Sequence, residues 1–275
     1  MTPDTTEKGQ RFLDDNTSGG NPPQQDGEVR ARASVVVRCG HFIFLFRDYL
    51  FPLTFVLFLL TTTPMYPFGS EWWDQRMDVV GILIAVLGQA YRLLAAGGAE
   101  NIRRRGQAGR IGAAQVIRQG VFAHSRNPLY LGNLLIVCGF VVIANNVWWY
   151  VFVLPIFIAV YVAIILAEEE FLLQRFGSSY ADYCRTVNRF MPQWRGLRQS
   201  LAAVAFDWRR ALRREYGNMC SWGLMIFVLL IWERWGRFGY VARKGEIHAL
   251  FGMLVLVLVI YVSLRWGKSQ GLLRS

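Results

Sequence analysis

Six long apolar segments constrain the fold more than any other feature of this sequence. They cover residues 49–66, 79–96, 129–144, 147–167, 219–232 and 247–264. Each approaches the roughly 20 apolar residues that a helix needs to cross a bilayer. Charged residues make up 18% of the chain, below the roughly 25% typical of soluble domains, and most fall between the segments. The sequence therefore predicts an all-α, polytopic membrane bundle of about six spans.

The net charge of +11 does not predict a nucleic-acid partner, because the basic residues flank apolar segments, where membrane topology accounts for them. Basic segments precede the first span, lie between the second and third, and lie between the fourth and fifth. Basic loops stay on the cytoplasmic side, so we expect both termini and an active site there. The loop 233–246 carries both signs of charge and gives the weakest support for this topology.

The chain divides into three predicted parts. Residues 1–38 are polar, lack a signal-peptide core and are expected to form a disordered tail. Residues 39–195 form a membrane core, and residues 196–275 form an interfacial helix at Trp208 plus two further spans. The four cysteines are scattered, which favours neither a metal site nor a disulfide framework.

The most unusual string runs through residues 120–133, at the start of the third span. It contains Arg126, Asn127 and Pro128, and the proline suits the first turn of the helix that it opens. Backbone donors at a helix start favour an anionic ligand group.

A second string, Glu168, Glu169 and Glu170, ends the fourth span. Carboxylates at a helix C-terminus oppose the macrodipole and invite a compensating cation. Only Asn145 and Asn146 separate the third and fourth spans, so these spans form an antiparallel hairpin whose other ends are neighbours. The hairpin predicts that Arg126 and the glutamates share one site.

Each signal also has an ordinary structural interpretation. Charged residues at span ends commonly lie at the membrane interface, and Arg92 is expected to snorkel there. A lone histidine such as His124 is a loop residue more often than a general base. The joint arrangement of the two strings favours a functional site.

That arrangement resembles the isoprenylcysteine carboxyl methyltransferase family and its relatives among the phospholipid methyltransferases. The matching residues are Gly120, Phe122, Arg126, Asn127, Pro128, Tyr130, Gly132, Glu168, Glu169, Leu172, Phe176, Gly177, Tyr180, Tyr183, Arg189 and Pro192. The resemblance covers about residues 79–195.

The resemblance implies methyl transfer from S-adenosylmethionine to a membrane lipid or lipid-like acceptor, with Arg126, Glu168 and Glu169 as candidate catalytic residues. It implies a cytoplasmic cofactor pocket over the hairpin. The implied cofactor-binding residues are Gln107, Phe122, Asn127, Pro128, Leu129, Tyr130, Gly132 and Glu168. No metal is implied, and the oligomeric state stays open.

Two departures from the family pattern qualify what the resemblance implies. Phe122 replaces a tyrosine, and Ile164 replaces an arginine that holds the substrate carboxylate in prenylcysteine enzymes. An aliphatic side chain cannot pair with a carboxylate, so a prenylcysteine acceptor is disfavoured. A sterol-reductase-like NADPH enzyme and a non-catalytic membrane scaffold remain as alternatives, although no GxGxxG motif supports the former.

Overall fold

The computed structural model describes residues 24–65, 70–98 and 116–270, and their regular structure is entirely helical. The helices are α1 (Gln24–Thr61), α2 (Glu71–Gly98), α3 (Pro128–Ala144), α4 (Leu154–Phe176), α5 (Ser178–Thr186), α6 (Leu197–Ala202), α7 (Trp208–Ala242) and α8 (Lys244–Ser269). A 3₁₀ turn (Gly120–Ala123) precedes α3, and a π-helical turn (Trp149–Val153) leads into α4. Five of the six apolar segments of the sequence lie within these helices and turns, and the first, 49–66, extends beyond the end of α1 at Thr61.

Four helical stretches are long and apolar enough to cross a membrane: Glu71–Gly98, Trp149–Phe176, Trp208–Ala242 and Lys244–Gly267. A fifth candidate is the bent pair within α1, and the 17 residues of α3 fall just short of the length of a full span. The predicted all-α, polytopic membrane bundle is therefore confirmed, with four to five full-length spans and the shorter α3 inserted among them.

Helix α1 bends by 79° between its segments Val37–Arg47 and Tyr49–Thr61. Pro52 lies inside this helix, four residues after the break. A proline has no N–H to donate to the carbonyl four residues back, and its ring clashes with that carbonyl. Pro52 therefore explains why the helix changes direction at residue 48.

A tight turn joins α3 to α4, as the two asparagines predict. Asn145 ends α3 in the left-handed conformation at φ 44°, which asparagine tolerates better than most residues. The Asn146 side chain accepts from the backbone N–H of Trp148 at 2.9 Å and donates to the carbonyl of Thr63 at 2.6 Å. The hairpin is thus fixed both internally and against the end of α1.

The π-helical turn also has a local cause. Pro155 stands in the first turn of α4 and cannot donate to the carbonyl of Val151. The N–H of Leu154 instead donates to the carbonyl of Trp149, five residues back. This widened turn feeds the hairpin into α4.

Helices α2 and α3 approach closely along a seam of small residues. A Cβ atom at Gly81 would lie 2.6 Å from the carbonyl oxygen of Gly139, and one at Gly88 would lie 2.6 Å from that of Gly132. Small residues at helix contacts within membranes let the two backbones approach and pack. This seam fixes the orientation of α3, and hence of the site at its start.

Gly139→Ala is expected to lower the stability of the protein, because the added Cβ would lie 2.5 Å from the carbonyl oxygen of Gly81. Overpacking of this kind typically costs about 1–3 kcal/mol. Thermal unfolding in detergent should show a lower midpoint. Gly252→Ala in α8 is the matched control, since its Cβ would meet no atom within 4 Å; an equal loss in both variants would contradict the packing argument.

The structure moves two predicted boundaries. Helix α1 begins at Gln24, so residues 24–38 are helical, whereas the disordered tail was expected to extend to residue 38; residues 1–23 lie outside the described ranges. Trp208 and the arginines after it form the first turns of α7, so the helix predicted at Trp208 is continuous with the following span. Apolar periodicity alone does not show that an arginine-rich turn continues into the next span.

Asp207 marks where α7 begins. Its side chain accepts from the backbone N–H of Arg210 at 2.9 Å, which is an N-cap contact. This hydrogen bond, together with nearby arginines, holds the pKa of the Asp207 carboxyl below its usual range. The cap therefore contributes at neutral pH and is lost when acid protonates the carboxyl.

Candidate active site

The start of α3 positions the first half of the site. Pro128 is the first helical residue, and the carbonyl of Asn127 accepts from the backbone N–H groups of Tyr130 and Leu131, both at 3.1 Å. The Asn127 side chain does not cap its own helix. It is therefore available for contacts outside α3.

Asn127 contacts α4 directly, at a point about two turns before that helix ends at Phe176. Its Nδ2 donates to Oε1 of Glu169 at 3.1 Å and to the carbonyl of Arg189 at 3.3 Å. Asn127 is 2% exposed and Glu169 8%. The hairpin therefore brings the asparagine-proline string and the acidic string together, as the sequence predicts.

Two arginines balance the charge of Glu169. Arg189 Nη2 lies 2.9 Å from Oε2, and Arg126 Nε lies 3.4 Å from Oε1. The compensating cation that the sequence predicts for the acidic string is thus supplied by Arg126, with Arg189 as a second partner. The acceptor atoms of Glu169 are therefore largely occupied by the protein itself.

Glu168 is also buried, at 4% exposure, but it lies about 100° further around α4. Residues at spacings of three, four and seven share a helix face, which places Glu168 on the same face as Tyr161, Ile164 and Leu172. The two neighbouring glutamates therefore point to different surroundings. Glu169 holds the α3 start, whereas Glu168 faces along the interior side of α4.

The segment after α5 lies against the segment before α3. The N–H of Arg126 donates to the carbonyl of Asn188 at 2.9 Å, and the Ser125 hydroxyl donates to that of Phe190 at 3.0 Å. The Tyr183 hydroxyl donates to the carbonyl of Phe122 at 2.6 Å. These contacts join residues 122–126 to residues 183–190, which are far apart in sequence, on one side of the site.

His124 also contacts the part of the chain that follows α5. Its Nδ1 lies within hydrogen-bond distance of the carbonyl of Gln193, and its Nε2 lies 2.9 Å from the Ser200 hydroxyl. Both ring nitrogens are therefore engaged with neighbouring loops. The geometry agrees with the interpretation of His124 as a structural loop residue.

Tyr130 connects the site to α1 and α4. Its hydroxyl accepts from Nη1 of Arg47 at 3.3 Å, and its ring centroid lies 5.8 Å from that of Tyr161. Ile164 is fully buried in the core. The position where prenylcysteine enzymes carry an arginine is thus a packing position in this protein.

Arg92 turns inward rather than snorkelling to the interface as expected. It forms a two-pronged pair with Glu215 of α7, with Nε at 2.8 Å from Oε2 and Nη2 at 2.9 Å from Oε1. Its Nη1 donates to the carbonyl of Leu129 at 3.1 Å and to Oδ1 of Asn133 at 2.7 Å. The acid that makes the inward orientation favourable is 123 residues away in sequence, so sequence spacing could not reveal it.

The remaining predicted residues have different surroundings. Phe122 is buried with Val121 and Ala95, and Leu129 packs against this group. Gly132 lies in the contact with α2, where a Cβ would meet the carbonyl of Gly88 and the Arg92 side chain. Gln107 lies outside the described residues. The cofactor roles of all four stay predictions.

A second buried charge cluster, which residue spacing in the sequence does not reveal, occupies the opposite end of α2. Carboxylate oxygens of Asp74, Asp78 and Glu233 lie within 4.8 Å of one another. Arg237 Nη1 lies 2.7 Å from Asp74, and Arg234 Nη2 lies 3.0 Å from Asp78. The guanidinium groups offset the charge of the carboxylates. Two of the basic residues in segment 233–246, Arg234 and Arg237, therefore pair with acids inside the bundle.

The fold and the site thus define an integral membrane protein with a buried, arginine-balanced carboxylate between the start of α3 and the C-terminal half of α4. The model of the phospholipid methyltransferase family matches residues 78–179. This match, over somewhat more than a third of the chain, confirms the resemblance seen in the sequence. No curated protein and no solved structure gives a significant match to the chain.

Proposed function

We propose that the protein is an S-adenosylmethionine-dependent methyltransferase that acts on a lipid-like or isoprenoid-like amphipathic acceptor. The observation that carries the proposal is the 3.1 Å contact between Asn127 and Glu169, inside the segment that matches the methyltransferase family. The two strings of residues that the resemblance assigns to the cofactor site form one cluster.

The residues present fit such a cofactor. Oδ1 of Asn127 has no hydrogen-bond partner among the described residues, although Asn127 is 2% exposed. Buried polar atoms are normally paired, and an amide oxygen accepts from an ammonium or a hydroxyl group. Asn127 and Glu168 would hold such groups of the cofactor, and Phe122 and Tyr130 would contact its ring.

When bound, S-adenosylmethionine supplies an electrophilic methyl group. This chain's residues would contribute mainly by orientation, because holding nucleophile and electrophile in line lowers the barrier substantially without a dedicated base. Glu169 with Arg126 and Arg189 fixes the start of α3 against α4. The contacts of Ser125 and Tyr183 hold α5 and the segment after it against the segment before α3. This arrangement would help to exclude water from the site.

The orientation in the membrane follows from the same proposal. In the sequence, the basic segments 103–126 and 175–214 flank the site residues and favour the cytoplasmic side, near an anionic leaflet. Both termini would then be cytoplasmic. An acceptor would reach the site from the membrane.

The direct test is calorimetric titration of the detergent-purified protein with S-adenosylmethionine, followed by transfer of a radiolabelled methyl group into a total membrane lipid extract. We expect binding and a labelled lipid product. Binding of NADPH instead of S-adenosylmethionine would favour a reductase. Failure to bind any methyl donor would favour a scaffold and contradict the proposal.

Glu168→Gln is expected to weaken S-adenosylmethionine binding by about tenfold, the effect of losing one charged hydrogen bond worth about 1.5 kcal/mol. Calorimetry measures the change. Glu170→Gln is the matched control, because Glu170 is exposed and accepts a hydrogen bond from Gln174, one turn further along α4. Unchanged binding in Glu168→Gln would remove Glu168 from the site.

A further inference from the structure

A partly open cavity of about 170 Å³ lies between α1, α3, α4 and α7. Its lining is mostly aromatic and aliphatic and includes Phe51, Phe55, Ile136, Val137 and Phe157. Apolar cavities of about 150 Å³ stay dry and admit small hydrocarbons. This volume accommodates part of one hydrocarbon chain.

The cavity has a polar end and an apolar end. Asn133, Tyr161, Asn218 and Ser221 line it on the side of the α3 start, whereas Phe140, Trp149, Val153 and Met225 line it toward the hairpin turn. Asn133 and Phe140 are seven residues apart in α3, or about 10 Å along the axis. A ligand in this cavity would therefore be amphipathic, with its head toward the candidate active site.

The polar end lies directly below that site. Tyr161 lines the cavity and contacts Tyr130, whose hydroxyl bonds Arg47. Glu168 lies on the same face of α4 as Tyr161, about 10 Å further along the helix. A head group at the tyrosine pair would face the residues proposed to hold the cofactor.

Helix α7 forms one wall of the cavity through Asn218, Ser221, Trp222 and Met225. This helix lies outside residues 78–179, which match the family. Hydrogen bonds to α2 position these α7 side chains: Gln89 Oε1 accepts from Asn218 Nδ2 at 3.0 Å and from Trp222 Nε1 at 2.8 Å. The C-terminal part of the chain thus shapes a cavity that the family domain alone leaves open.

We infer that this cavity binds a single hydrocarbon chain of the methyl acceptor and that α7, through Trp222 and Met225, limits the chain that fits. The inference rests on the proposed function. It narrows the acceptor to an amphiphile that can insert one chain between α3 and α7 and leave its head at Tyr161. The residues that select the acceptor then lie on a helix appended to the methyltransferase domain.

The test uses a hexadecanoic acid that carries a photoactivatable diazirine near the middle of its chain, with cross-linked peptides mapped by mass spectrometry. We expect cross-links to peptides of α3 and α7 around Val137 and Met225. Met225→Trp should reduce them at least tenfold by filling the cavity. Val228→Trp is the control on the same helix, because Val228 is more exposed, and should leave them within twofold.

Two further measurements keep the result decisive. Met225→Ala enlarges the cavity without adding bulk and should retain the cross-links, which guards against a Met225→Trp protein that does not fold. Cross-links confined to α8, or unchanged in folded Met225→Trp, would overturn the inference. S-adenosylmethionine binding is measured in parallel: its absence from the wild-type protein contradicts the proposed function, whereas binding without cavity cross-links contradicts only this inference.

Discussion

Glu169→Ala is expected to reduce methyl transfer by about 100-fold, the scale of loss that follows from misplacing a reacting group by about 1 Å. The carboxylate accepts from Asn127 and pairs with Arg126 and Arg189. Without it, the nearly buried guanidinium of Arg126 loses its anion, and the start of α3 loses its contact with α4. Transfer of a radiolabelled methyl group to membrane lipids measures the effect.

The control for this variant is Glu170→Ala, one residue along α4, which changes an exposed carboxylate. It should retain activity within about twofold, since surface substitutions rarely change stability by more than about 0.5 kcal/mol. Glu169→Gln keeps an acceptor for Asn127 but removes the charge, so its activity should lie between those of the two alanine variants. Full activity in Glu169→Ala would show that the contact does not organise the site.

Arg237→Leu is expected to destabilise the whole bundle. The arginine contacts Asp74 at 2.7 Å and Glu233 at 3.2 Å, and its side chain is 5% exposed. Removing one partner of a buried ion pair typically costs about 3–5 kcal/mol, because an uncompensated charge is left behind. The apparent melting temperature in detergent should fall clearly.

An exposed arginine provides the comparison for Arg237→Leu. Arg185 pairs with Asp182 at 3.5 Å, and their side chains are 81% and 63% exposed. Such surface pairs contribute about 0–1 kcal/mol, so Arg185→Leu should leave the melting temperature nearly unchanged. Similar losses in the two variants would mean that the Asp74 cluster is not the stabilising unit.

The cluster at Asp74 also shows why the sequence left part of the topology uncertain. The loop 233–246 carries Arg234 and Arg237, which count against placing it on the side opposite the basic loops. In the structure these arginines belong to the last turns of α7 and pair with Asp74 and Asp78 of α2. Counting charges along a sequence does not distinguish an arginine that faces water from one that is neutralised within the bundle.

The sequence indicated the two strings of the candidate site more completely than it indicated the contacts that hold them in place. The Asn145–Asn146 turn is short enough that the far ends of the two predicted spans must be neighbours, so the strings that contain Asn127 and Glu169 could be placed together from spacing alone. Arg189 was recognised only as a match to the family pattern, and its pairing with Glu169 was not predicted. Arg92 and Glu215 were not assigned to the site, because their contact joins α2 to α7 across 123 residues.

By itself, the sequence determined the helical class, the number of apolar segments and the hairpin that joins the two strings of site residues. These follow from local physics, since segment length, turn residues and proline positions act within a few residues. Only the tertiary structure decided that Arg92 faces inward, that Asp74 and Glu233 share two arginines, and that α7 closes a cavity beneath the site. Those features depend on which helices are neighbours, and a buried charge or a cavity wall exists only once packing has selected its partners.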